Sequence, residues 1–508
     1  MCRSSDKSLD PRLLAEAVSA CYDAWVQNSK IDPKKAKRGF IMTFHRYKAG
    51  SYFIALLLGV FAGFPALAAP PNIIVFLADD VDWKDFGCYG NDAIRTPNID
   101  ALATRGLKFE NAFLTVAQCS PTRISILTGR YPHATGAEDL HMPLAEGKKI
   151  VPSHLKEAGY YSGHMKKTHY GKFASQQFDW YDKGLERFGD FLDATDEKPF
   201  FLWVGFTDAH RPYEAGAVSP PHDPATVKVP AYLADTPETR ADLALYYDEV
   251  SRMDGVIGNF VATLEKRGLR DDTLIIFLSD NGMPFPRAKG TVYDSGVGTP
   301  LVMSWPNGIA EGTTYDGLTS VVDLAPTILE VAGVSPKHRE FQGKSFLSAL
   351  EGRNPRGRKY VFSERNWHDC DDHIRSVRTK RYKLIRNAYL GIPHGTPLDL
   401  GNSPSFESLL ELKNQGALTP EQAMLFQVPR PGLELYDLEN DPGEFTNIAA
   451  TKEGAPIAAE LEEVLDQWAL DTGDFGPHYR KRGDHTSRYT GKRIRKDMPP
   501  MTHSLPGE

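Results

Sequence analysis

The stretch Pro71-Asn72-Ile73-Ile74-Val75-Phe76-Leu77-Ala78-Asp79-Asp80 decides how the chain is read. Its apolar, β-branched body is that of a strand buried on both faces, as in a parallel sheet, and it stops abruptly at two carboxylates. A strand that ends this way delivers its acids to a loop at the sheet edge, where functional side chains gather. Taken alone, an Asp pair after a strand is more often a cap or a turn than a ligand set.

The following segments keep alternating. Thr96-Pro97-Asn98-Ile99 opens a helix through Leu102 that the Arg105-Gly106 turn closes, and Pro121 lies near the start of an apolar helix over 124–127. A helix over 151–158, strands over 160–165 and 200–206, a long helix over about 236–266 and a strand over 273–278 come next. A strand over 301–303 and a helix over 324–331 complete the series. This order predicts an α/β fold with a large, mostly parallel sheet sandwiched by helices. After the Pro- and Gly-containing stretch 352–357, short strands at 360–362, 374–377, 382–385 and 433–436 precede a helix over about 457–470. They predict a smaller C-terminal antiparallel-sheet plus helix domain. The expected boundaries are 70–355 and 356–478, with a basic tail over 479–508.

Among 508 residues, 66 acidic and 59 basic side chains leave a net charge of -7, so no global field favours nucleic acid or an anionic membrane. A polyanionic ligand would need a local basic cleft. From Met42 the chain reads as a fresh start: His45, Arg46 and Lys48 precede an apolar stretch over 52–61, then Ala66-Leu67-Ala68 before Ala69. That is the layout of a secretory signal over 42–68, and it predicts an exported, periplasmic or secreted protein. An uncleaved signal anchor is the alternative, although the apolar run is short for a membrane span. Residues 1–41 read as an overextended N-terminus. Cleavage after Ala68 leaves Cys88, Cys119 and Cys370, of which the first and last read as buried free thiols.

Asp280-Asn281 ends the 273–278 strand much as Asp79-Asp80 ends the first one. Four oxygen donors from strand ends point to a hard divalent cation, Ca²⁺ more than Mg²⁺. Cys119-Ser120-Pro121-Thr122-Arg123 is followed by Leu127-Thr128-Gly129-Arg130, and chance gives roughly 0.04 matches of Cys-x-Pro-x-Arg in a chain of this composition. Cys119 would sit beside a helix N-terminus, which suits anion binding. Lys167 and His169, two apart, would point the same way on an extended strand and reach one anion. His210 follows the 200–206 strand and Lys289 follows the Asp280 pair by a short loop. Alone, each of these would more often face solvent.

Together the motifs resemble those of the formylglycine-dependent sulfatases of the alkaline phosphatase superfamily, in which the cysteine of Cys-x-Pro-x-Arg is oxidised to formylglycine. Lys167-Thr168-His169-Tyr170-Gly171 resembles the family's Gly-Lys-x-His-x-Gly, with Lys166 where the first Gly would stand. The likeness runs from about Asn72 into the C-terminal region. It is strongest to the heparan N-sulfatases (N-sulfoglucosamine sulfohydrolases), through Ser279-Asp280-Asn281-Gly282-Met283-Pro284-Phe285-Pro286, Asp208-x-His210-Arg211, Arg375-Ser376-Val377, Ser403-Pro404-Ser405-Phe406 and Glu434-Leu435-Tyr436-Asp437. Lys289 departs from it, standing where those enzymes place Arg.

The resemblance implies an alkaline phosphatase-like fold and a metal held by Asp79, Asp80, Asp280, Asn281 and the modified Cys119. Arg123 would hold the formylglycine, Lys167, His210 and Lys289 would bind the sulfuryl group, His210 or Lys289 would protonate the leaving group, and His169 would take the proton that expels sulfate. His133, His141, Arg211, His368 and Asp369 are candidates for substrate recognition. The partners implied are a sulfated saccharide and a formylglycine-generating maturation enzyme, without nucleic acid; a homodimer is left open. The favoured substrate is N-sulfoglucosamine at a heparan-type chain end. The alternatives are an exo-O-sulfatase on another glycan and, behind it, a phosphatase or phosphonate hydrolase of the same superfamily.

Overall fold

The computed structural model describes residues 70–336, 340–353 and 356–476. The signal-like segment, the residues before it and the basic tail lie outside the described residues. The strands are β1 (Asn72–Ala78), β2 (Leu107–Phe109), β3 (Ala112–Phe113), β4 (Tyr161–Lys166), β5 (Trp180–Asp182), β6 (Phe200–Gly205), β7 (Thr273–Ser279), β8 (Leu301–Ser304), β9 (Thr313–Tyr315), β10 (Thr319–Ser320), β11 (Val361–Arg365), β12 (Ile374–Arg378), β13 (Tyr382–Asn387) and β14 (Leu433–Asp437). Eight of them form one sheet in the order β5-β4-β6-β1-β7-β8-β2-β9.

β1 lies at the centre, parallel to β6 and β7, which explains its unbroken apolar run. Ile73, Val75 and Leu77 enter the core on one face, and Ile74, Phe76 and Ala78 the core on the other. Helices cover both faces. α1 (Pro97–Thr104) and the long α4 (Pro237–Lys266) bury Ile99, Tyr246, Met253 and Phe260 on the second face. On the first lie α2 (Cys119–Thr128), α3 (Val151–Glu157) and α5 (Leu324–Val331). α4 begins where Thr236 caps it, accepting from the Thr239 N–H at 3.2 Å with Pro237 next, and each large apolar side chain it buries contributes about 1.5–3 kcal/mol.

β11 to β14 form a four-stranded antiparallel sheet whose Phe362, Val377, Leu384 and Leu435 pack on Leu461, Leu465 and Trp468 of the last helix, Gly454–Thr472. The fold class is the one expected, and two details add to it. β8 runs antiparallel to both β7 and β2, so this end of the main sheet is mixed. The segment between β13 and β14 is not a plain connection: it carries the helix α6 (Pro404–Gln415), whose Leu409 joins the α4-side core of the large sheet. Cys88 and Cys370 are free, as expected, but partly rather than fully buried. No helix among the described residues is long and apolar enough to cross a membrane.

Candidate active site

Four neighbouring strands, β4, β6, β1 and β7, run parallel, so their C-terminal ends share one edge of the sheet. From that edge come Lys167 and His169 after β4, His210 after β6, Asp79 and Asp80 after β1, and Asp280, Asn281 and Lys289 after β7. Cys119 is the first residue of α2, directly over the acids: its Sγ lies 3.5 Å from Asp79 Oδ1, 3.9 Å from Asp80 Oδ1 and 3.7 Å from Asn281 Oδ1. Donor atoms of Asp79, Asp80, Cys119 and Asp280 all fall within 4.8 Å of one another, and all four residues are buried. Three carboxylates and an amide oxygen around one point fit a hard divalent cation.

Cations surround this negative centre. Arg123, fully buried one turn into α2, donates from Nε to Asp280 Oδ2 at 2.7 Å and from NH1 to the Lys167 carbonyl at 3.2 Å. The Lys167 ammonium donates to Asp79. Gly205 makes room for this approach, since a Cβ there would lie 2.1 Å from the Lys167 oxygen and 2.6 Å from Arg123 NH1. Burial opposes the charge of Asp79, but Lys167, Arg123, His210 and Lys289 hold its carboxyl well below the usual range. Asp280 goes the other way: burial, then the Asp79 charge, push it up to about 6 against Arg123 and Lys167. Burial pushes the Cys119 thiol well above its ordinary value.

Lys289 is buried between two carboxylates. Its Nζ donates to Asp80 Oδ2 at 2.6 Å and to Asp399 Oδ2 at 2.5 Å. Asp399, from the segment between β13 and β14, is the site residue that the sequence-based reading missed. It also lies 3.5 Å from His210 Nε2. The Nδ1–H of His210 donates to the Arg211 carbonyl at 2.6 Å, which turns Nε2 toward the acids. His169 sits opposite, its Nε2 2.6 Å from His141 Nδ1. Burial, then Lys167 and His141, hold His169 well below the usual imidazole range, so it is neutral.

The loop path after β4 differs from expectation. Lys166 and His169 have φ values of 63° and 57°, so Lys167 and His169 converge through a left-handed turn and not by strand alternation. Lys166 occupies the backbone conformation that suits the missing glycine.

The five recognition candidates divide. His141, His368 and Asp369 lie at the site: His368 Nδ1 is 3.2 Å from Asp369 Oδ2, which also accepts from the Leu398 N–H at 3.0 Å. Arg211 is corrected. Its guanidinium makes a bidentate pair with Asp242 at 2.7 Å, its Nε donates to the Pro284 carbonyl, and it stacks on Tyr213 and Phe285, so it braces the His210 loop and is not held out for an anion. His133 is corrected too: it bonds Glu364 at 2.5 Å and packs against Tyr131 and Trp468 beside the antiparallel sheet, its charge raised by Glu364 against burial.

Comparison with known proteins gives the family. The sulfatase family model matches residues 71–190 and 178–334, and the model for the C-terminal part of N-sulphoglucosamine sulphohydrolase matches 287–418. Human N-sulphoglucosamine sulphohydrolase is 33% identical over 461 residues, covering 80% of this chain and 91% of that protein. An ulvan-active sulfatase of Formosa agariphila is 30% identical, covering 80% and 75%. A protein solved in complex with its substrate D-glucosamine-2-N,6-O-disulfate shares the fold, with TM-score 0.62, 20% identity, and coverage of 80% of this chain and 99% of that one. The phosphonate monoester hydrolase of Agrobacterium radiobacter shares it too, at TM-score 0.62 and 20% identity, over 79% and 96%. The chain belongs to the sulfatase family and is a hydrolase of sulfuric esters or sulfamates.

Proposed function

We propose that the protein is an exported, chain-end glycan sulfatase whose favoured substrate is N-sulfoglucosamine. The observation that carries this reading is the match of 287–418 to the C-terminal part of N-sulphoglucosamine sulphohydrolase, a span that holds His368, Asp369 and Asp399 together with Lys289, the one site residue that departs from those enzymes. We read 70–355 as the catalytic domain and 356–478 as a C-terminal subdomain that lends the first three of these to the site. A second reading, an O-sulfatase on another polysaccharide, is favoured by the ulvan-active relatives at 30 and 31% identity.

In this proposal a maturation enzyme converts Cys119 to formylglycine, which when hydrated supplies one hydroxyl to attack sulfur and a second whose deprotonation expels sulfate. A divalent cation, Ca²⁺ before Mg²⁺, would be held by Asp79, Asp80, Asp280 and Asn281 and would supply charge neutralisation and a lowered hydroxyl pKa. Arg123, fixed by Asp280, orients position 119. Lys167, His210 and Lys289 bind the negative charge spreading over the sulfuryl oxygens. As the bond from sulfur to the leaving atom breaks, His210 Nε2 or Lys289 Nζ gives that atom a proton, which a sulfamate needs because a bare amide anion leaves poorly. His169, neutral and with a buried Nδ1 that has no hydrogen-bond partner among the described residues, accepts the proton that releases sulfate.

The deciding experiment incubates enzyme carrying verified formylglycine with N-sulfoglucosamine and a panel of O-sulfated sugars and measures free sulfate. Release from the N-sulfate alone is expected; release only from O-sulfates would replace the substrate and leave the nucleophile and metal site standing.

A further inference from the structure

Lys289 and His210, the two groups placed to protonate the leaving atom, are both flanked by Asp399. The leaving atom must come within reach of one of them, so the sugar carbons next to it lie against this carboxylate. Asp399 keeps about a fifth of its side chain exposed, so it is not closed off by Lys289 and His210. Its charge is maintained despite burial by Lys289 and by His368. One residue away along the chain, the Leu398 N–H is bound to Asp369 Oδ2. Asp369 Oδ1 is buried, on a side chain only 7% exposed, and has no hydrogen-bond partner among the described residues. An acceptor in that state calls for a donor that the described residues do not supply.

Resting on the saccharide reading above, we propose that Asp399, with Asp369 beside it, is a specificity-determining acceptor pair that takes the hydroxyl flanking the scissile group and excludes a second anion there. In N-sulfoglucosamine at a chain end, the carbon bearing the sulfamate has two ring neighbours. C1 carries the bond to the rest of the chain, which leaves the C3 hydroxyl as the flanking donor. A site built to accept that hydroxyl loses transition-state binding when it is missing, because buried acceptors are left unpaired. A sulfate at the same position would meet two carboxylates.

The test measures kcat/KM of the formylglycine-bearing, Ca²⁺-loaded enzyme and its Asp399→Asn variant on N-sulfoglucosamine, its 3-deoxy analogue, its 3-O-sulfated analogue and p-nitrophenyl sulfate. The wild type is expected to lose about 30-fold on the 3-deoxy sugar and more on the 3-O-sulfate. In Asp399→Asn the deoxy penalty should shrink to about 3-fold, as coupled groups do in a double-mutant cycle, while p-nitrophenyl sulfate falls less than the parent sugar. A wild type indifferent to the C3 hydroxyl, or a variant that keeps the whole penalty, overturns the inference; so does an equal fall on all four substrates, which would mean that Asp399 only braces Lys289. If Asp399→Asn does not fold, Asp369→Asn replaces it with the same expected collapse. Cleavage of p-nitrophenyl sulfate with no release from N-sulfoglucosamine would remove the substrate reading itself, and this inference with it.

Discussion

His141 Nδ1 stands 2.6 Å from His169 Nε2, so one ring donates to the other, and in the proposed mechanism a proton taken up by His169 is shared with His141. The backbone of His141 is anchored as well, its N–H donating to Ser120 Oγ at 2.7 Å, next to the nucleophile position. This geometry makes His141 a positioning residue for His169. Replacing it, His141→Ala, is expected to lower kcat about 10- to 100-fold with KM changed less than about 3-fold. Steady-state kinetics on the preferred substrate decides; a rise in KM with kcat intact would make His141 a substrate contact.

Cys119→Ala should abolish turnover while leaving the melting temperature within a few degrees of the parent, because α2 is packed along its whole length and alanine is a good helix former. Peptide mass across residue 119 and sulfate release, read on the same preparation, check it. Substantial residual turnover would sink the formylglycine mechanism.

Stripping divalent cations should remove activity and stability together. Asp79, Asp80 and Asp280 are wholly buried within a few ångströms of one another, and Arg123, Lys167, Lys289 and His210 would then be left to oppose their repulsion. At a cation concentration about 100 times Kd the bound ion contributes about 2.7 kcal/mol. Thermal melts after dialysis against chelator should fall accordingly, and Ca²⁺ should restore both melt and activity better than Mg²⁺.

Much of this site was legible because each acid or base follows a buried apolar run, and strand ends in a parallel sheet meet at one edge. Asp79, Asp80, Asp280 and Asn281 could be read that way from β1 and β7 alone. Asp399 could not: its loop has no periodicity, and its partner Lys289 is brought near only by the tertiary path of the segment after β13. Arg211 was misjudged for the matching reason, since Asp242 lies one helix away and nothing local pairs the two. The direction of β8 was equally hidden, three apolar residues and a serine carrying no mark of their sense. The left-handed turn at Lys166 left a trace, the departure from glycine, whose structural meaning appears only in the backbone.

His164 gives a pH dependence independent of the site. It is 1% exposed among Tyr170, Phe178 and Tyr181, and neither ring nitrogen has a hydrogen-bond partner among the described residues. Burial lowers its pKa to about 4. Between that value and the ordinary one of about 6.5, the unfolded chain binds a proton that the folded chain refuses, so stability falls as pH drops through this window. The loss approaches about 3 kcal/mol at its lower end. His164→Phe should remove it, seen as a smaller drop in melting temperature from pH 7 to pH 4 than the parent shows.

Lys166 holds a φ of 63° with its side chain exposed, directly before Lys167, whose carbonyl binds Arg123 and whose ammonium binds Asp79. A non-glycine residue in this region costs about 1–2 kcal/mol, and glycine avoids that cost but loses about 0.5–1 kcal/mol in chain entropy on folding. Lys166→Gly is therefore expected to stabilise the protein by about 0.5 kcal/mol, read as a higher denaturation midpoint at unchanged slope. Because the turn already has the shape that glycine prefers, Lys167 should stay in place and kcat/KM should change less than about 2-fold. A destabilised variant, or one that loses activity through a displaced Lys167, would show that the lysine side chain itself holds the turn.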